Sequence, residues 1–85
     1  MPLSIAAPPQ EILPQIRQSI ESAIPGASVD VEGSGTHFRL VVVSEQFEGQ
    51  RTLQRQRMVL SAIKHLMEGD NPPVHAIDSL ETRTP

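Results

Sequence analysis

The chain has 85 residues and a formal net charge of −3 at pH 7. That length holds one small domain and excludes a two-lobed enzyme with a cleft between subdomains. The absence of Cys, Trp and Tyr removes disulfides, thiolate ligands and a cysteine nucleophile, and the acidic balance removes a whole-molecule attraction to nucleic acid.

Leu, Ile, Val and Phe supply 23 of the 85 residues, above the roughly 20% that marks intrinsic disorder, so a small core is expected. The longest uninterrupted apolar run is Leu40–Val43, far short of the roughly 18 residues of a membrane helix. Residues 1–10 carry no basic residue and too short an apolar stretch for a signal peptide. They read as a disordered lead-in to a single domain over 11–85, and the expected location is cytoplasmic.

The first element is a helix. Ile16, Ile20, Ala23 and Ile24 fall on one face, extended by Ile12 and Leu13. Pro14 belongs in a first helical turn, so the helix is expected to start close to it, and Pro25-Gly26 ends it. Val29 and Val31 then alternate with Asp30 and Glu32 as a half-buried strand. Gly33-Ser34-Gly35-Thr36 reads as a hairpin loop. His37–Val43 reads as a second strand, with Phe38, Leu40 and Val42 toward the core and His37, Arg39, Val41 and Val43 on the other side.

Phe47 lies in the following connection and is expected to plug the space between sheet and helix. A long helix covers about Arg51–Met67, with an apolar stripe of Leu53, Val59, Leu60, Ile63, Leu66 and Met67. Arg51, Arg55, Met58 and His65 point away from it. Gln56 falls inside the stripe and is expected to hydrogen-bond to backbone near a loop, because a buried amide without partners is costly. Gly69 caps the helix, and Asp70-Asn71-Pro72-Pro73 stops it. Val74-His75-Ala76-Ile77 begins a last strand. Ile77 and Leu80 are three apart, which puts them on opposite faces of a straight strand, so a bulge near Asp78-Ser79 is expected. The order is α-β-β-α-β: an α+β domain with one three-stranded sheet and both helices on one face, resembling the KH class in element order.

No pair of carboxylates and no Ser-His-Asp set shows a spacing that places it in one pocket, so the chain is not expected to be an enzyme. Gly33-x-Gly35 leads into a strand rather than a helix and reads as a turn, not a phosphate cradle. Arg51, Arg55 and Arg57 open the long helix and are the candidates for nucleic-acid contact. His65 reads as a surface residue. His37 and His75 each start a strand beside a loop, where a metal ligand could sit. Two histidines without thiols do not close a tetrahedral zinc site, but they can supply part of a sphere that another molecule completes.

The stretches Val31-Glu32-Gly33, His37-Phe38-Arg39-Leu40-Val41-Val42-Val43-Ser44, Phe47-Glu48-Gly49, Gln54-Arg55-Gln56-Arg57-Met58-Val59, Val74-His75-Ala76-Ile77 and Thr84-Pro85 together resemble the BolA family. The resemblance covers residues 12–85, and the short hairpin loop is similar to that of a bacterial subgroup linked to acid stress. It implies a domain similar to class II KH folds, often with a short extra turn before the long helix. It further implies a non-enzymatic adaptor that binds a monothiol glutaredoxin and shares a [2Fe–2S] cluster with it, in iron–sulfur trafficking, iron sensing or stress response. No cluster is expected in the isolated protein, which would be a monomer or weak homodimer without a membrane partner. The family's C-terminal His ligand maps onto His75, and glutaredoxin cysteine and glutathione would supply the other ligands. A second family ligand lies in the loop between the first two strands. Ser34 stands at that position here, and His37 is the nearest metal-binding substitute. The alternative role described in the family, DNA-binding transcriptional regulation, would fall on Arg51, Arg55 and Arg57.

Overall fold

A computed structural model describes residues 9–85. Of the expected lead-in, positions 1–8 lie outside the described residues, while Pro9 and Gln10 already belong to the first helix, α1 (Pro9–Ala23). Pro14 therefore sits in the second turn, not the first. The ring removes one backbone donor there, and burial of Ile12 on the preceding turn anchors the helix across the gap. Ile12, Ile16, Ile20 and Ile24 are all buried, whereas Ala23 is exposed. The chain turns at Gly26 (φ +87°), where the Ala27 N–H reaches the Ile24 carbonyl at 3.1 Å.

Strands β1 (Ser28–Ser34) and β2 (His37–Val43) form an antiparallel hairpin in which Ser34 pairs with His37. Gly33 and Ser34 are thus strand residues, and the loop is only Gly35-Thr36, two residues rather than four. This tight turn uses Gly35 at φ +64°. It also places Gly33 opposite Phe38 at a separation that leaves no room for a side chain. Val29 and Val31 pair with Val42 and Leu40, so the inner face is apolar along its length.

A 3₁₀ turn, Glu45–Phe47, follows. It is the short extra turn that the family resemblance implied. The buried Ser44 caps it by accepting the Gln46 N–H at 3.0 Å. Gln46 Nε2 donates to the Pro25 carbonyl at 2.9 Å and ties the turn to the end of α1. Phe47 is completely buried, as expected of a plug.

Helix α2 (Thr52–Met67) turns its buried line through Val59, Ile63 and Leu66, flanked by Met58, Ala62 and Met67. The apolar stripe is thus rotated from the expected one. Leu53 and Leu60 are exposed, at 57% and 38%, and Met58 packs on the core instead of pointing away. Gln56 is half-buried. No buried side-chain N or O among the described residues lacks a partner, so Gln56 does not need the backbone tie expected of it. Gly69 follows the helix at φ +99°.

Strand β3 (Ala76–Arg83) runs parallel to β2, giving the order β1-β2-β3. It begins one residue after His75. Ile77 pairs with Phe38 and Ser79 with Arg39, so Asp78 is an inserted residue, a bulge where one was expected. The bulge returns Leu80 to the same side as Ile77, and both pack on the core. The two helices and the inner faces of all three strands share one hydrophobic cluster. The outer sheet face, with exposed His37 and Arg39 and half-buried Val41 and Val43, carries no helix among the described residues. The architecture is therefore the expected α+β arrangement.

Candidate metal-ligand site

The N-terminal ends of the parallel strands β2 and β3 meet beside the hairpin turn. The Thr36 carbonyl accepts the N–H of His75 at 2.9 Å and that of Ala76 at 3.2 Å, and Ala76 pairs with His37. His37 and His75 thus come to the same corner of the sheet, although 38 positions separate them. Val74 anchors the segment from below: it is fully buried, and its N–H binds the Leu66 carbonyl at 3.1 Å. The backbone on both sides of His75 is therefore fixed while the residue itself is exposed. Among the described residues its imidazole has no hydrogen-bond partner, so both ring nitrogens are open to another molecule.

His37 differs. Its Nδ1 lies 3.0 Å from Asp78 Oδ1 on the open sheet face. Gly33, His37, Arg39 and Asp78 line a shallow depression there. Asp78 was not among the candidate ligands read from the sequence, although the bulge that places it was; the broken spacing of Ile77 and Leu80 was the available signal. Arg39 does not compete for the Asp78 carboxylate, since its own guanidinium pairs with Glu32 at 2.8 Å.

Among the described residues, no three His, Asp or Glu side chains converge to hold a metal ion, and the chain has no Cys. The donor set thus fits a contribution of one or two imidazoles to a centre completed by other ligands, and does not fit a closed site in this chain alone.

The three arginines at the start of α2 differ in their surroundings. Arg55 folds inward: its Nε donates to the Gln50 carbonyl at 2.9 Å, and its Cζ stands 5.8 Å from the centroid of the Phe47 ring. Arg51 is the exposed N-cap residue, its backbone N–H 3.4 Å from Gln54 Oε1. Arg57 is exposed on another face of the helix, in line with Leu53, Leu60 and Lys64. His65 is exposed, as expected, with Nε2 3.3 Å from the Ser19 hydroxyl. No helix among the described residues is long and apolar enough to cross a membrane.

The sequence matches the family model described as BolA-like protein over residues 12–85. It is similar to BolA-like protein 1 of Bos taurus, 49% identical over 53 residues, which is 62% of this chain and 36% of that protein. It is also similar to the DNA-binding transcriptional regulator BolA of Escherichia coli K12, 44% identical over 52 residues, 61% of this chain and 46% of that one. The chain thus spans a little over a third of the length of the mammalian relative and under half of the bacterial one. In structure it is similar to a BolA homologue from Coxiella burnetii, with a TM-score of 0.69 and 42% identity over 82% of this chain and 86% of that one. With the family model matched across nearly the whole described domain, and the same fold found in a relative of this identity, the chain belongs to the BolA-like protein family.

Proposed function

We propose that this protein is a non-enzymatic adaptor that docks on a monothiol glutaredoxin and contributes His75 to a [2Fe–2S] cluster held between the two proteins, in iron–sulfur trafficking, iron sensing or stress response. The observation that carries this reading is the exposed imidazole of His75 on a backbone clamped by the Thr36 carbonyl. A ligand for a shared centre must be accessible to the partner and must not be consumed by contacts within its own chain, and among the described residues His75 meets both conditions. His37, at the same corner, is the second candidate. When bound, imidazole in place of thiolate on one iron raises the cluster's reduction potential. Glutaredoxin cysteine and glutathione would supply the remaining ligands.

The test is a titration of the purified protein into cluster-loaded monothiol glutaredoxin, followed by visible absorption and circular dichroism. A spectrum that changes and saturates near one to one supports the reading. An unchanged spectrum removes it, and an unchanged spectrum with His75→Ala removes the ligand assignment.

A second reading, DNA binding by the start of α2, is favoured by the name of the Escherichia coli relative. Arg51 and Arg57 would carry it, because Arg55 is engaged with Gln50 and Phe47. Salt-dependent binding that is lost on charge reversal of Arg51 and Arg57 would support it; no binding at low salt would remove it.

A further inference from the structure

Asp78 is the inserted residue of the β3 bulge, and it presents its carboxylate on the open sheet face beside His37. Asp78 lies between the Phe38–Ile77 and Arg39–Ser79 pairs, with no β2 partner of its own. Its Oδ1 stands 3.0 Å from His37 Nδ1. A carboxylate only accepts hydrogen bonds, so the Nδ1 of His37 carries the proton in this contact. In the neutral imidazole, Nε2 then keeps its lone pair. The two side chains are 58% and 53% exposed, so a second molecule reaches Nε2 from solvent. Gly33 also lines the depression and adds no side chain to it, while the guanidinium of Arg39, the remaining lining residue, is paired with Glu32.

We propose that Asp78 is a positioning residue. It fixes the tautomer and ring orientation of His37 and presents Nε2 as an imidazole ligand to a transition-metal centre brought by a partner. A carboxylate behind a ligating histidine raises the basicity of the ligating nitrogen and holds the ring in place, and loss of such a group typically lowers metal affinity about 10–100-fold. The inference rests on the shared-centre reading above and identifies the second imidazole of that site, together with the residue that prepares it.

The experiment uses the full-length protein with ¹⁵N-labelled histidine, Zn²⁺ as the probe, and NMR readout of both ring nitrogens of His37. The expected result is the Nδ1–H tautomer in the neutral ring and a Zn²⁺-induced shift at Nε2. Asp78→Ala should lose the tautomer bias and weaken the Zn²⁺ response about tenfold. Asp78→Asn keeps an acceptor oxygen and should retain most of the bias. Mixed tautomers in the unmodified protein, Zn²⁺ on Nδ1, or an unchanged response in Asp78→Ala would each overturn the proposal.

The glutaredoxin titration separates this proposal from the reading beneath it. If His75→Ala alters the cluster spectrum while His37→Ala and Asp78→Ala do not, the positioning role at the cluster is overturned and cluster sharing stands. If none of the three variants alters it, cluster sharing through these residues fails, and the NMR result still decides whether Asp78 prepares His37.

Discussion

Gly33 of β1 lies so close to Phe38 of β2 that a β-carbon on Gly33 would stand 2.8 Å from the Phe38 α-carbon and 2.3 Å from the His37 carbonyl oxygen. Both contacts are to backbone, which cannot swing aside. Gly33 also has φ +154°, a conformation that side chains disfavour. Gly33→Ala should therefore cost more than about 3 kcal/mol and disturb the corner that carries His37 and His75. Gly35 has open space around its α-carbon at φ +64°. Gly35→Ala should cost only the left-handed penalty of about 1–2 kcal/mol. Urea denaturation of the two variants checks the contrast.

The rotated stripe of α2 has its own test. Ile63 is fully buried, and Ile63→Ala should cost about 2–5 kcal/mol through lost burial and the cavity left behind. Leu60→Gln and Leu53→Gln replace exposed side chains and should stay within about 0.5 kcal/mol. Equal losses at Leu60 and Ile63 would restore the stripe read from the periodicity.

Arg55 should behave as part of the fold rather than as a free cation. Arg55→Ala removes the bond to the Gln50 carbonyl and the guanidinium beside Phe47, and should cost about 1–2 kcal/mol. Arg57→Ala, on an exposed position, should be close to neutral. Thermal unfolding of the two variants distinguishes them.

His75 should show the opposite profile, with an effect on the partner and little on stability. Its backbone N–H holds the Thr36 carbonyl, and substitution of the side chain leaves that bond in place. His75→Ala should unfold within about 0.5 kcal/mol of the unmodified protein. In the mixed complex with a cluster-loaded glutaredoxin it should change the visible circular dichroism. A large loss of stability would mark His75 as structural instead.

The sequence by itself determined the element order, the α+β class and the inner face of β2. Alternation and proline placement report directly on local backbone geometry, and Phe38, Leu40 and Val42 can all face inward only on a strand. It also determined the bulge, because Ile77 and Leu80 share a core side only if the strand gains a residue. The start of α1 was legible less well: Pro14 alone suggests a first turn, but the buried Ile12 carries the helix one turn further back. The face of α2 was decided by tertiary structure. Leu53 and Leu60 fit an apolar stripe as well as Met58 does, and only the position of the sheet and α1 selects which line is covered. The candidate site is tertiary in the same sense. His37 and His75 could be named from their places beside loops, but parallel pairing of β2 with β3 brings them to one corner. The contact between His37 and Asp78 exists because a residue inserted in β3 meets a side chain on β2, a relation between distant segments that no local pattern encodes.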